Sequence, residues 1–156
     1  MDWKFPVRVL DTQYTGDLKG VAFDKLRNKF NKVAHRLTVL PLSDPAAHSA
    51  MRASLMFWVG AMIYTGRETS HDLMSFYNVL FEAMKKNPGM FEGFVTMDGE
   101  EPAGFNVWDI TGDTANSLAS LSRRSIKGMS EFQNITACRI LAEQGTKFYN
   151  MGGSET

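Results

Sequence analysis

The chain has one cysteine, Cys138, among its 156 residues, so neither a disulfide framework nor a cysteine-built metal site is available to it. It also lacks an excess of either charge. The 17 basic residues are matched by 17 acidic ones, and no global field announces a nucleic acid or a membrane. No apolar run approaches the ~18 residues of a membrane span. The longest, Leu55 to Tyr64, is interrupted by Gly60 and reads as a buried helix. The opening residues, Met1 to Pro6, lack a signal-peptide layout, and no internal repeat or low-complexity tract is present. His35, His48 and His71 have no ligand spacing, which argues against a metal site, and no Ser-His-Asp or Cys-His arrangement can be assembled. A reducing cytoplasm is the compartment this composition suits.

What is present is a globular balance, 44% hydrophobic and 22% charged, in a chain long enough to bury one core. Ten methionines read as soft core filling. Val7 to Leu10 is a short strand candidate, followed by a polar turn through Thr15, Gly16 and Asp17. From Val21 to Arg36, Phe23, Leu26, Phe30 and Val33 recur at intervals of three and four and predict a helix. Leu37 to Leu42 reads as a strand, and Asp44-Pro45 as the N-cap and first position of a helix reaching about Tyr64. After the polar break Gly66 to Thr69, Ser70 caps a further helix to about Lys86, stopped by Asn87-Pro88-Gly89. Phe91 to Met97 and Ala103 to Ile110 predict a hairpin turning through Asp98 to Pro102. Thr111 to Asn116 reads as loop, and Leu118 to Lys127 is ambiguous between a helical turn and an ordered loop.

The last thirty residues carry most of the information. Ser125-x-x-Gly128-x-Ser130 leads into an apolar helix, Glu131 to Gln144, stopped by Gly145; a strand from Thr146 to Met151 and a Gly152-Gly153 turn follow. A helix entered from a loop of glycine and hydroxyl residues is a natural seat for phosphate oxygens, because its first amides lack partners and its dipole is positive there. The whole order predicts a single α/β (α+β) domain over 1–156, a mixed sheet with helices on both faces.

Several residues are candidates for chemistry. Arg123 and Arg124 can pair with phosphate, or they are solvated surface cations. Gly128 and Ser130 can offer an amide and a hydroxyl to phosphate, or they simply start a capped helix. Asn150, Ser154 and Glu155 close the last strand, where α/β sheets place ligands; Glu155 is placed to act as a modest general base, although chain termini commonly fray. Arg67 and Glu68 form a loop pair for substrate contact or an ordinary ion pair. Lys25, Lys29, Lys32 and Arg36 follow helical spacing and form a cationic stripe for RNA or an anionic lipid headgroup, or merely the helix's solvated face.

From Phe91 onward the order of hairpin, loop, helix and strand resembles the GNAT acyltransferase fold. Ser122 to Phe132, followed by Ile140 to Glu155, is similar to the C-terminal domain of lysyl-phosphatidylglycerol synthases and to the related Fem-type aminoacyltransferases, which contain two GNAT-like repeats. The basic run Phe23 to Lys32 resembles the opening of their second repeat, so the likeness spans roughly residues 18 to 155. It implies transfer of an acyl or aminoacyl group from acyl-CoA or aminoacyl-tRNA to an amine or hydroxyl acceptor, a small molecule or peptide. The donor phosphate would rest on Arg123, Arg124, Gly128 and Ser130. The reacting carbonyl would lie in a split between the Val107 and Phe148 strands, held by amides near Trp108 to Ile110, with Trp108, Ser154, Arg67 and Glu68 toward the substrate. The loop departs from the family's Gln/Arg-x-x-Gly-x-Gly/Ala pattern at both ends, and the family normally adds a strand beyond the point where this chain stops. A degenerate, non-catalytic binding or assembly module, or an RNA-binding module using residues 23–36, is therefore an alternative. An unpaired last strand would favour a homodimer.

Overall fold

The computed structural model describes residues 7–66 and 71–153. Its elements follow in the order β1 (Val7–Asp11), α1 (Thr12–Asp17), a 3₁₀ turn (Val21–Phe23), α2 (Asp24–Ala34), β2 (Leu37–Pro41), α3 (Ala47–Tyr64), α4 (His71–Lys86), β3 (Glu92–Asp98), β4 (Glu101–Thr111), β5 (Thr114–Ser122), α5 (Met129–Glu143) and β6 (Phe148–Gly153). One open six-stranded sheet, ordered β1-β6-β5-β4-β3-β2, runs through the molecule. It is antiparallel except for β5 and β6, which are joined by the α5 crossover and run parallel.

Helices cover both faces, as predicted. On one face α3 and α4 bury Met51, Leu55, Tyr77 and Phe81 against Val95, Phe105, Val107 and Leu121 of the sheet. On the other, α5 lies against Phe94, Trp108, Ala115 and Tyr149, and α2 stacks Phe30 on Phe132 at 5.5 Å. Two register shifts on β4 and its neighbours, at Thr96/Met97 and Val107/Trp108, explain why alternation fails to assign faces simply. Ala103 packs toward α2 and α5 although it lies two residues from Phe105, which faces α3 and α4 with Val107.

Several boundaries differ from the sequence reading. The stretch expected to be loop and then ambiguous is the β4–β5 hairpin, turning at Gly112-Asp113 and returning as β5. Its Thr-Ala-Asn-Ser-Leu-Ala-Ser composition has low strand propensity; a central position between two strands overrides that. Thr15 to Asp17, expected as a turn, closes the short helix α1. Thr12 Oγ1 donates to the Thr146 carbonyl at 2.6 Å and Arg139 Nε to the Gly16 carbonyl at 2.8 Å, so tertiary bonds hold this helix. Asp44 does not cap α3 directly. Its Oδ1 accepts from the Ala46 amide at 2.8 Å in a turn, and the helix begins at Ala47. The C-terminal strand is not an edge, because β1 pairs along β6 from Val7↔Gly153 to Asp11↔Phe148. The reason for expecting a dimer through that strand therefore lapses. Ser70 lies outside the described residues.

Candidate functional site

The opening in the sheet is one strand away from its expected place. β4 and β6 are not neighbours; β5 lies between them. The β5–β6 ladder runs only from Thr114↔Phe148 to Asn116↔Asn150, although β5 continues to Ser122 and β6 to Gly153. The two parallel strands thus part beyond Asn116. At that point β5 also carries a bulge, since Val107 pairs with Ala119 and Trp108 with Ser117, leaving Leu118 unpaired. A bulge beside a parting pair of strands leaves backbone polar groups without strand partners, the condition for binding an extended ligand or a carbonyl oxygen.

A polar ladder marks the apex. Asn150 Nδ2 donates to Asn116 Oδ1 at 3.4 Å, Asn116 Nδ2 to Asp109 Oδ1 at 3.2 Å, and the Gly152 amide to Asn150 Oδ1 at 2.9 Å. Asn150 therefore fixes the apex. Beneath it, burial pushes the Tyr149 phenol up, while Ser117 and Asn106 hydrogen bond to it. Trp108 is sandwiched edge-on between Phe94 and Tyr149, at 5.9 and 5.8 Å. The amide of Trp108 belongs to a strand paired on both sides, with Glu92 and with Ser117, so the oxygen-holding amides expected at Trp108 are already ladder groups.

At the carboxyl end of β5, two features read separately from the sequence come together. The β5–α5 loop and α2 enclose a cleft of about 490 Å³ that draws Lys29 and Lys32 from α2 and Arg124, Lys127, Gly128 and Ser130 from the loop and helix start. Gly128 makes this possible. Its φ of 87° is left-handed, and a Cβ there would stand 2.9 Å from the Lys29 carbonyl oxygen. Lys32, Arg124 and Lys127 have no ion-pair or hydrogen-bond partner among the described residues. Cations crowded on one concave surface repel one another and favour an anionic ligand.

The cleft also holds an anion of its own. Glu131 sits in the first turn of α5, accepts from Lys29 Nζ at 3.3 Å and from Ser130 Oγ at 3.1 Å, and carries a pKa below the ordinary carboxylate value. Burial works against ionisation there, but its own backbone amide, Lys29 and Ser130 outweigh it. A carboxylate thus already engages part of the helix terminus.

Adjacent arginines have opposite fates. Arg123 is largely buried: Nη1 pairs with Glu101 at 3.1 Å, Nη2 donates to the Pro102 carbonyl at 3.0 Å, and the guanidinium stacks 3.9 Å over the Phe57 ring. It clamps the loop to β4 and α3. Arg124 is exposed. Within the basic stripe, Lys25 lies exposed outside the cleft lining, and Arg36 is held by a bidentate pair with Asp98 at 2.8 and 2.7 Å. Arg67, Glu68, Ser154 and Glu155 lie outside the described residues.

A second, larger cavity of about 1030 Å³, foreshadowed by no motif, lies at the opposite end of β3 and β4. Met51, Met84, Phe91, Phe94, Trp108 and Ile140 contribute apolar wall, and His48, Lys85 and Gln144 contribute polar groups. Trp108 Nε1 and His48 Nδ1 are buried without hydrogen-bond partners among the described residues. Burial, reinforced by Lys85 and Arg52, keeps the His48 pKa below the usual imidazole value and so favours the neutral ring. Its walls come from six separate elements, β2, α3, α4, β3, β4 and α5, which no local motif records.

Cys138 is fully buried and its thiol is pushed up to about 12 by that burial, which excludes it as a nucleophile. Among the described residues no His, Cys, Asp and Glu group could hold a metal ion, and no helix is long and apolar enough to cross a membrane.

No family model matches the chain, and no curated protein matches it in sequence. Solved structures do share its fold. A conserved protein of unknown function from Bacteroides thetaiotaomicron superposes with a TM-score of 0.76 at 15% identity, over 97% of this chain and 51% of that one. The C-terminal domain assigned to a lysylphosphatidylglycerol synthetase of Agrobacterium fabrum gives 0.65 at 14%, over 98% and 48%. L-PGS from Bacillus licheniformis gives 0.68 at 17%, over 97% and 46%. The chain spans about half the length of each, and the likeness at such identities is one of fold.

Proposed function

We propose that the protein is a GNAT-like acyl- or aminoacyl-transferase that takes its group from a phosphate-bearing donor, acyl-CoA or aminoacyl-tRNA. The observation that carries this reading is the convergence of Lys29, Lys32, Arg124 and Lys127 on one cleft, beside a sheet that opens between β5 and β6. The donor's phosphate lies in the cleft. Its arm extends along β5 from Ser122 toward Ser117, about 17 Å at strand rise. The reacting carbonyl reaches the Leu118 bulge, where a backbone amide stabilises the oxyanion. The acceptor amine or hydroxyl approaches from the apolar cavity, whose wall includes Trp108, the ring that meets Tyr149 edge-on. Attack on the carbonyl carbon forms the new amide or ester and releases the donor thiol or ribose hydroxyl, to which the acceptor's proton passes.

Titration calorimetry with coenzyme A, acetyl-CoA and an aminoacylated tRNA tests the donor site. The Lys29→Ala/Arg124→Ala variant is expected to lose at least ~10-fold in affinity, with its melting temperature lowered no more than slightly by loss of the Lys29–Glu131 pair. Equal binding by wild type and variant sinks the assignment. A second reading, a binding module without chemistry, draws on Glu131, whose carboxylate already engages the helix terminus. Binding of a donor without transfer of a labelled acyl group to any amine or hydroxyl acceptor would favour it.

A further inference from the structure

Helix α3 has two apolar faces. Ala47, Ala50, Met51 and Leu55 are buried against the sheet. On the opposite side Ala53, Met56, Phe57, Gly60, Ile63 and Tyr64 form one stripe at intervals of three and four, and all are exposed. The exposure is large: Met56 60%, Phe57 52%, Ile63 62% and Tyr64 92%. No charged residue interrupts the helix from Ala53 to Tyr64. A helix apolar all round belongs in an interior, yet this side keeps its large exposure even with the Arg123 guanidinium stacked on the Phe57 ring.

The stripe is symmetric about Gly60. Phe57 and Ile63 stand three residues either side of it, Met56 and Tyr64 four. Glycine in mid-helix is unfavourable relative to alanine, and a Cβ at Gly60 would meet no atom within 4 Å, so packing inside the chain does not require it. It does permit a second helix backbone to approach closely.

We propose that this stripe is a homodimer interface, in which α3 of two copies cross antiparallel on a two-fold axis at Gly60. Phe57 then packs on the partner's Ile63, and Met56 on the partner's Tyr64. An isologous contact needs one self-complementary patch, and a neutral stripe symmetric about its centre supplies it. The area suffices. Side chains of this size carry ~150–250 Å² each, so the four large residues present on the order of 500 Å² per copy, or ~1,000 Å² for the pair. That is the lower bound for a specific interface, before flanking residues are added. The interface also touches the candidate donor site, since Phe57 is the surface on which Arg123 stacks.

Sedimentation of the full chain at ~10 μM tests the proposal. Wild type is expected as a dimer. Met56→Glu/Ile63→Glu, at exposed positions, is expected as a monomer with an unchanged circular dichroism spectrum, dimerising at least ~100-fold more weakly. Gly60→Cys should form a covalent dimer on oxidation, because a residue on the axis meets its own copy; buried Cys138 does not compete. A wild type that stays monomeric at ~100 μM overturns the proposal, as does a dimer that survives Met56→Glu/Ile63→Glu. So does a monomer that floats with phosphatidylglycerol vesicles only when the stripe is intact, which would assign the stripe to a lipid surface.

Discussion

α5 and α3 share a property that sets them apart from α2: neither separates an apolar face from a polar one. α5 runs beneath the sheet with α1 and α2 packed over it, so Phe132, Gln133, Ile135, Ala137, Cys138 and Leu141 are all buried by the same chain. α3 receives a sheet on one side, while the other stays largely exposed, with the Arg123 guanidinium stacked on Phe57. A helix that does not divide into an apolar and a polar face therefore has two meanings here. One is a finished interior. The other is a surface awaiting a partner, and only the placement of other elements distinguishes them.

The sharpest way to break this comparison is through the α5 side, where no slack remains. A Cβ on Gly104 would stand 2.1 Å from the Leu121 carbonyl oxygen, 2.6 Å from Met129 Cε and 3.0 Å from Gln133 Nε2. Gln133, fully buried, donates to that same Leu121 carbonyl at 2.9 Å and accepts from Ser122 Oγ. Gly104→Ala is expected to cost at least ~3 kcal/mol, or to prevent folding, in urea denaturation. A change under ~1 kcal/mol would mean that α5 is not seated as tightly as its burial indicates.

Within α3 the comparison can be made one residue apart. Leu55 is buried and Met56 faces outward. Leu55→Ala is expected to cost ~3 kcal/mol in urea denaturation, whereas Met56→Ala should stay within ~0.5 kcal/mol at concentrations where the chain is monomeric. Equal losses at both positions would show that the outer stripe is covered within one copy.

Much of the fold could be read from the chain. The 3.6-residue spacing of Phe23, Leu26, Phe30 and Val33 locates α2, and Gly145 (φ 81°) ends α5 as expected. The β3–β4 hairpin turns at Gly99, inside the predicted segment. What escaped depends on long-range contact. β5 is built from small polar residues that favour a strand only when β4 and β6 flank it. β1 closing over β6 joins residues more than 130 positions apart. The site divides in the same way. The loop and the basic helix were each legible, but their meeting at Gly128 and Lys29 was not, nor was the burial that separates Arg123 from Arg124.

That separation predicts a smaller pair of effects. Arg123→Ala removes a backbone hydrogen bond, an ion pair and a stacking contact that tie the loop to both β4 and α3, and is expected to cost ~1–2 kcal/mol. Arg124→Ala should leave stability within ~0.5 kcal/mol and weaken only anion binding. Denaturation and phosphate titration of both variants read the two roles independently. Reversed results would place Arg123 in the ligand site and Arg124 in the fold.

The smallest effect expected is also the one that asks what the cleft is for. Glu131 has a folded pKa below its ordinary value, so its contribution to stability is present above the usual glutamate range, near 4.5, and is lost as pH falls through the lowered folded value. A partly exposed pair of this kind is worth less than ~1 kcal/mol, so Glu131→Gln should lower the melting temperature slightly at pH 7, and the gap should close toward pH 3. The same substitution releases Lys29 and removes a negative charge from the start of α5, so affinity for inorganic phosphate at pH 7 should rise several-fold. A fall in affinity would mean that Glu131 helps to hold the ligand rather than competing with it. The cleft would then be a site for a ligand with a cationic or hydrogen-donating group beside its phosphate, as in an aminoacyl ester, rather than for a bare anion.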